Sequence, residues 1–277
     1  MSSLAKRVLS ALLLAPLVIA AVILLPSDWI AGLFGIIVLL AAMEWARMAG
    51  LESENRQLAW SLLLALLIGL AAFFQAGMAY LPILVGALWW GLACARLLLA
   101  SRHPVALRAG IAGWRLLDGL LVLFPAWYAL VRIHGMPHIG PFLLLYLLLL
   151  IWGADSFAYF SGRAFGRHKL APNLSPGKTL EGVAGALLGV LPIAWFGHRL
   201  VARNYDVPMW QWLALALLVV CASIIGDLFE SWAKRERGLK DSGDLIPGHG
   251  GVMDRIDSLT AAAPVFAAGL LALGLMR

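Results

Sequence analysis

Long apolar runs dominate this chain and restrict it to folds that can be buried in lipid. A helix needs about 20 consecutive apolar residues to cross a bilayer. Nine such runs follow one another: 8–25, 28–47, 58–76, 80–99, 116–133, 141–161, 181–199, 209–232 and 256–276. Only 13% of the 277 residues are charged, compared with roughly 25% in soluble domains. The sequence therefore predicts an all-α, polytopic integral membrane protein with about nine transmembrane helices.

Basic residues fall mostly on one of the two sides that nine helices would create. All 21 Lys and Arg residues except Arg132, Arg199, Arg203 and Arg277 lie at the N-terminus or in the even-numbered loops. Basic loops of membrane proteins face the cytoplasm. We therefore expect a cytoplasmic N-terminus and a C-terminus outside, with the first run kept as an uncleaved helix. Topology also accounts for the net charge of +6, so no nucleic-acid partner is expected.

Polar residues are concentrated in the second half of the chain. We expect residues 1–115 to form N-terminal transmembrane scaffold helices. Residues 116–277 are expected to form a catalytic transmembrane region with cytoplasmic loops at 162–180 and 233–255. Cys94 and Cys221 lie in separate apolar runs and in no CxxC spacing, which argues against a disulfide or zinc framework.

The sixth apolar run carries the first polar pattern. Asp155, Tyr159 and Arg163 recur at i, i+4 and i+8, so they share one face of a helix. A charged residue inside a membrane segment costs at least a few kcal/mol and is usually functional. Asp155 is therefore a candidate substrate-binding residue. An interhelical salt bridge to one of the arginines is the alternative.

The segment "SPGKT", residues 175–179, resembles part of a P-loop. A full P-loop needs a glycine where Pro172 stands and a strand before it, and neither is expected. The segment instead predicts a Gly/Pro-rich turn ahead of a helix that starts near Glu181. Backbone amides at a helix start favour a phosphate, so Ser175 and Lys178 are candidate phosphate contacts.

The eighth run, "ASIIGDLFESWAKRE", carries a polar stripe. Ser223, Asp227, Glu230 and Lys234 are spaced i, i+4, i+7 and i+11 on an otherwise apolar helix. Two acids on one face of a membrane helix need either a wet cavity or a bound cation, and we favour the cation.

The loop that follows, "KRERGLKDSGDLIPGHGGVMDRIDS" (234–258), is the most polar part of the sequence. Its glycines and Pro247 predict a tight backbone around His249, which either contacts a ligand or stabilises the turn. Asp254 and Asp257 begin the ninth helix on one face. Carboxylate oxygens suit magnesium rather than zinc. Basic groups beside them are typical of a site that binds phosphates.

The longest motif lies in the same region. Residues 231–257 match S-x-x-K-R-x-x-x-x-K-D-x-G-x-x-x-P-x-H-G-G-x-x-D-R-x-D at each fixed position. This pattern resembles the signature of phosphatidate cytidylyltransferases, also called CDP-diacylglycerol synthases. The segment from Asp155 to Gly182 resembles the second stretch that this family shares.

The resemblance implies a magnesium-dependent reaction of CTP with phosphatidic acid that yields CDP-diacylglycerol and pyrophosphate. It implies Asp227 and Asp254 as metal ligands, with one or two Mg²⁺ ions and K⁺ as a further option. The expected location is the bacterial cytoplasmic (inner) membrane, with the lipid bilayer around the helices and the active site facing the cytoplasm. The resemblance also favours a homodimer. The GxxxG of Gly185 and Gly189 fits either a dimer contact or packing within one chain.

The sequence therefore yields three groups of candidate residues. The catalytic candidates are Asp227, Asp254, Lys234, Arg235 and Lys178. The substrate-binding candidates are Asp155, Ser175, Lys178, Ser223, Lys240, Asp241, His249, Gly250, Gly251 and Arg255. The metal-binding candidates are Asp227, Asp254, Asp257 and Glu230.

Other functions fit parts of the pattern. A polyprenol kinase or an archaeal-lipid cytidylyltransferase would share a CTP and metal site but would use another acceptor. A secondary transporter would carry ions on its intramembrane acids, but transporters often repeat interrupted helices in both halves. Here the polarity is confined to one half, which favours an enzyme. A non-catalytic lipid-binding scaffold accounts least well for acids beside a glycine-rich loop.

Overall fold

The computed structural model describes residues 15–74, 79–101, 105–243 and 250–276, and these are mostly helical. The helices are α1 (Ala15–Leu24), α2 (Ser27–Met48), α3 (Glu54–Phe73), α4 (Leu81–Ala100), α5 (Gly113–His134), α6 (Gly140–Phe165), α7 (Leu180–Gly189), α8 (Leu191–Val201), α9 (Met209–Glu236) and α10 (Met253–Ala272). Two short strands, β1 (Lys169–Ala171) and β2 (Ser175–Thr179), lie between α6 and α7.

Eight helical segments of the described chain are long and apolar enough to cross a membrane. They are α2 to α6, the pair α7 and α8 taken together, α9 and α10, and each overlaps one of the predicted runs from the second to the ninth. The first run, 8–25, lies partly outside the described residues, and its described part is the shorter helix α1. The protein is thus a multi-pass membrane protein, whereas the count of nine and the orientation of the termini stay predictions.

The two strands are a departure from the all-α prediction. β1 and β2 pair antiparallel, with Lys169 opposite Thr179 and Ala171 opposite Ser175. The expectation of a turn with no preceding strand was therefore wrong for residues 175–179. Pairing gives the backbone groups of this segment hydrogen-bond partners. Helix α7 then begins at Leu180, where the Thr179 hydroxyl caps it by accepting a hydrogen bond from the Gly182 amide at 3.1 Å.

Small residues let the helices around the polar region approach closely. A Cβ at Gly185 would overlap Ser161 of α6, and a Cβ at Gly189 would overlap the Phe157 ring. The GxxxG of α7 therefore serves packing against α6 within one chain. Of the two options that the sequence left open for this motif, the structure shows packing within one chain.

A buried ion network ties α4 and α5 to the end of α9. Arg115 binds Glu236 at 2.9 Å, and Asp118 binds Arg96 at 3.0 Å. The guanidinium of Arg115 also lies over the Trp232 ring, 4.2 Å from its centroid. Buried charges are stable only when they are paired. The network therefore fixes the end of α9 against the N-terminal helices.

Candidate active site

An ion pair joins the hairpin to the polar stripe of α9. Lys178 Nζ of β2 lies 2.6 Å from Asp227 Oδ2. The pair lines a cavity of about 500 Å³ between α6, β2, α7 and α9. Asp155, Tyr159 and Arg163 line the same cavity, which confirms that these three residues share one face of α6. Arg163 Nη1 donates to the Tyr159 hydroxyl at 3.0 Å.

Two further carboxylates lie close to this pair. Asp155 and Asp257 both lie near enough to Asp227 and Lys178 to interact with their charges. Gly226 makes the approach of α10 possible, because a Cβ there would come within 2.5 Å of the Asp257 carbonyl oxygen. We call Asp155, Lys178, Asp227 and Asp257 the Lys178 cluster.

A second lysine lies between two carboxylates next to the first group. Lys234 Nζ donates to Glu230 Oε2 at 2.6 Å and to Asp254 Oδ1 at 2.5 Å. We call Glu230, Lys234 and Asp254 the Lys234 cluster. Asp257 of the Lys178 cluster interacts electrostatically with both Glu230 and Lys234, so it links the two clusters. The polar stripe of α9 thus contributes one residue to the first cluster and two to the second.

The backbone at the start of α10 binds the second oxygen of Asp254. Asp254 Oδ2 accepts hydrogen bonds at 2.9 Å from the Ser242 amide, the Ser242 hydroxyl and the Gly251 amide. Gly250 next to it has φ +80°, and a Cβ there would lie 2.7 Å from the same oxygen. Glycine is required at this position both by its backbone angle and by the space that the Asp254 carboxylate needs.

Carboxylates outnumber ammonium groups across the two clusters. Five acids, Asp155, Asp227, Glu230, Asp254 and Asp257, face two lysines. Glu230 Oε1 is buried without a hydrogen-bond partner, and an unpaired buried carboxylate oxygen is costly. Both facts fit a cation with oxygen ligands such as Mg²⁺. Among the described residues, no group of three or more Asp, Glu, His or Cys side chains forms a ready-made metal cluster. Each lysine is paired with carboxylates of its own cluster.

The other candidates lie around these clusters or away from them. Ser175 lines the cavity. The Ser223 hydroxyl donates to Val220 O of its own helix at 2.8 Å. Arg235 contacts backbone carbonyls, Leu174 O at 3.4 Å and Leu239 O at 3.1 Å, which ties the hairpin to α9.

The five remaining candidates are Lys240, Asp241, His249 and Gly251 of the predicted loop and Arg255, which lies in the first turn of α10. Lys240, Asp241 and Arg255 are exposed, and Gly251 contributes its amide to Asp254 as described above. His249 lies outside the described residues. Their roles in substrate binding stay predictions.

Sequence reasoning missed Glu44 and Ser242. Glu44 Oε2 accepts a hydrogen bond from the Ser242 hydroxyl at 2.8 Å, and Arg47 Nη2 donates to Ser242 O at 2.5 Å. Glu44 is an acid within a membrane-spanning helix, and such an acid is a functional candidate by default. That signal was present in the sequence but was outweighed by the apolar character of the first third.

The arrangement can bind polyanions. Two lysines and a surplus of carboxylates can hold phosphate oxygens directly and through cations. No nucleophilic Cys, Ser–His pair or strong general base is found in the two clusters, which are made of carboxylates and ammonium groups alone. This composition suits phosphoryl or nucleotidyl transfer, in which positioning and charge stabilisation supply most of the catalysis.

Comparison with known proteins agrees with this chemistry. Residues 5–273 match the model of the cytidylyltransferase family. A phosphatidate cytidylyltransferase of Pseudomonas aeruginosa is 44% identical over 97% of this chain and 97% of its own length. One of Haemophilus influenzae is 38% identical over 94% of this chain and 96% of its own. One of Thermotoga maritima is 46% identical over 44% of this chain and 46% of its own. The chain belongs to the cytidylyltransferase family.

Proposed function

We propose that the protein is a phosphatidate cytidylyltransferase, which converts CTP and phosphatidic acid into CDP-diacylglycerol and pyrophosphate. The observation that carries the proposal is the pairing of Lys178 with Asp227 and of Lys234 with Asp254 inside the motifs that resemble this family. Relatives that match along nearly the whole chain bear the same name. The enzyme would act in phospholipid biosynthesis.

In the proposed reaction an oxygen of the lipid phosphate attacks the α-phosphorus of CTP. A new P–O bond forms, and the bond from the α-phosphorus to the bridging oxygen of the β-phosphate breaks, so that pyrophosphate leaves with the bonding electrons. The nucleophile is already an anion, and therefore no proton has to be removed by a base. Both reactants are negatively charged, so cationic groups must hold them together.

The lysines supply part of that positive charge. Lys178 and Lys234 are bound to carboxylates. Each lysine would turn to a phosphate oxygen when substrate enters. Mg²⁺ would be held by Asp227, Asp254, Asp257 and Glu230, where it would neutralise charge on the attacking and leaving oxygens. We propose one or two Mg²⁺ ions, with K⁺ as a further candidate beside them.

Two features support an active site on the cytoplasmic side of a bacterial inner membrane. Both clusters lie where α6, α9 and the start of α10 meet the hairpin and the polar loop, on the side that carries most of the basic residues. CTP is a cytoplasmic nucleotide. The cavity beside the Lys178 cluster lies between membrane-spanning helices, which suits a lipid that arrives from the inner leaflet. A homodimer stays part of the proposal and rests on the family resemblance alone.

Labelled CTP tests the proposed reaction. Purified protein in lipid–detergent micelles is given phosphatidic acid, Mg²⁺ and CTP labelled at either the α- or the γ-phosphorus. Label from the α-position should enter the lipid, and label from the γ-position should leave as pyrophosphate. Transfer of γ-label to lipid would instead identify a kinase. Turnover with an unsaturated archaeal ether lipid but not with phosphatidic acid would assign another acceptor.

A further inference from the structure

Glu44 of α2 holds both ends of the polar loop that precedes α10. Its Oε2 accepts hydrogen bonds from the Ser242 hydroxyl and the Met253 amide, both at 2.8 Å. Its Oε1 accepts one from the Val252 amide at 2.9 Å. Ser242 lies before the loop glycines, and Val252 and Met253 lie after them. A single carboxylate of an N-terminal helix thus joins the two ends of the loop in space.

Ser242 extends this contact to the Lys234 cluster. Its hydroxyl lies 2.8 Å from Glu44 and 2.9 Å from Asp254 Oδ2. A hydroxyl has one hydrogen to donate, so the Ser242 proton is shared between the two carboxylates. Asp254 also accepts from the Ser242 amide. Any displacement of Ser242 therefore moves two of the hydrogen bonds that hold Asp254.

Two glycines of the loop make room for the Glu44 carboxylate. A Cβ at Gly243 or at Gly251 would overlap its carboxylate. Arg47, one turn further along α2, donates to Ser242 O at 2.5 Å and holds the same residue from the other side. Trp45 between them stacks on Phe229 of α9, with ring centroids 6.2 Å apart. This stretch of α2 is therefore fixed both to the loop and to the helix that carries Lys234.

We infer that Glu44 is a positioning residue of the proposed cytidylyltransferase site. It clamps the two ends of the loop and, through Ser242, orients the carboxylate of Asp254. Within the part of the chain that the structure describes, Glu44 forms no hydrogen bond or ion pair with a member of the two clusters, and Ser242 connects it to Asp254. The inference rests on the proposed function for its effect on turnover, whereas the clamp itself is a statement about the fold.

Glu44→Gln tests the clamp with little change in shape. A glutamine has only one acceptor oxygen, and its amide group would face a donor N–H or O–H where Glu44 offers an acceptor. We expect kcat for cytidylyl transfer to fall about 10- to 100-fold, with KM for CTP and lipid nearly unchanged. Hydrogen exchange should speed up at the Val252 and Met253 amides and not elsewhere in α10. Glu54→Gln, an exposed acid at the start of α3, is the matched control and should change neither quantity.

A double-mutant cycle separates the effect of Glu44 on Asp254 through Ser242 from a general packing role of Glu44. Ser242→Ala removes only the hydroxyl, and it also serves as the test if Glu44→Gln does not fold. The two losses of kcat should be clearly less than multiplicative, because both act through one contact. Multiplicative losses, or unchanged exchange at Val252 and Met253, would overturn the inference. So would a uniform rise of exchange along α2 and α10. If the wild-type protein transfers no cytidylyl group, the proposed function fails. Hydrogen exchange at the Val252 and Met253 amides then decides by itself whether Glu44 clamps the loop.

Discussion

Lys178 and Asp227 are brought together across the fold, with Nζ and Oδ2 only 2.6 Å apart. Lys178 is the penultimate residue of the second strand of the hairpin, and Asp227 lies within the membrane-spanning helix α9. The side chains of both residues are about one quarter to one third exposed, at 26% and 30%, so the pair faces an accessible cavity. A phosphate that enters this cavity meets a cation on one side and a carboxylate that can hold a metal on the other.

Lys178→Ala tests the cationic half of this pair. Loss of a cation from a bound phosphate should cost roughly 2–4 kcal/mol in the transition state, or about 30- to 1000-fold in kcat/KM. Lys178→Arg should recover only part of this loss, because a planar guanidinium does not replace a point charge. Lys169→Ala, at an exposed residue of strand β1 in the same hairpin, is the control. Equal kinetics for Lys178→Ala and the control would mean that Lys178 contributes only to topology.

Asp227→Asn and Asp254→Asn test the carboxylates. Each substitution removes a negative charge with little change in volume, so we expect near-complete loss of turnover while thermal unfolding in detergent stays cooperative. Steady-state rates across a range of Mg²⁺ concentrations are the measurement. Asp206→Asn, exposed in the loop between α8 and α9 at the other end of the bundle, should keep full activity. A variant that keeps half of the wild-type rate at saturating Mg²⁺ would remove that carboxylate from the proposed metal site.

Periodicity predicts much of this structure, and long-range pairing accounts for most of what it misses. The spacing of Asp155, Tyr159 and Arg163 is a local property of one helix, and the common face follows from it directly. The partner of Lys178 is not local, and sequence spacing alone cannot supply it. Strand β1 has three residues, too few for an alternating pattern, and this hid the hairpin. Glu44 likewise contacts Ser242 and the start of α10 from a distant part of the chain, so sequence spacing could not predict these contacts.

Lys234→Met should affect both stability and turnover. The Lys234 ammonium is the partner of the fully buried Glu230 and of Asp254, and removal of one partner from a buried ion pair typically costs about 3–5 kcal/mol. We expect the unfolding midpoint to fall by on the order of 10 °C and kcat/KM to fall at least as far as in Lys178→Ala. Arg235→Ala, at the neighbouring position, removes only bonds to backbone carbonyls and should be much more stable. Similar midpoints for the two variants would argue against a charged Lys234 cluster.

Arg115→Met tests the ion network that fixes the end of α9. Arg115 is 2% exposed and donates two hydrogen bonds to one oxygen of Glu236, Oε2, from Nε and Nη2, so its loss weakens the charge pairing of this buried carboxylate. The free energy of unfolding should fall by about 3–5 kcal/mol. Replacing both residues, as Arg115→Met with Glu236→Met, should cost less than Arg115→Met alone, because the buried Glu236 carboxylate is then removed with its partner and Asp118 keeps its ion pair with Arg96. A double variant that is less stable than the single one would show that the network contributes more than charge pairing.

Impermeant thiol reagents test the orientation on which access to CTP depends. With Cys94 and Cys221 replaced, a cysteine at Lys240 reports on the polar loop, and a cysteine at Arg203 reports on the opposite end of the bundle. Both positions are exposed.

If basic segments face the cytoplasm, intact cells should label Arg203→Cys once the reagent has crossed the outer membrane. Lys240→Cys should then label only in inverted inner-membrane vesicles or after lysis. Each variant must unfold cooperatively in detergent, which shows that the labelled population is folded. The reverse pattern would place the Lys178 and Lys234 clusters on the side that lacks CTP, and neither the nine-helix topology nor the proposed reaction could then stand.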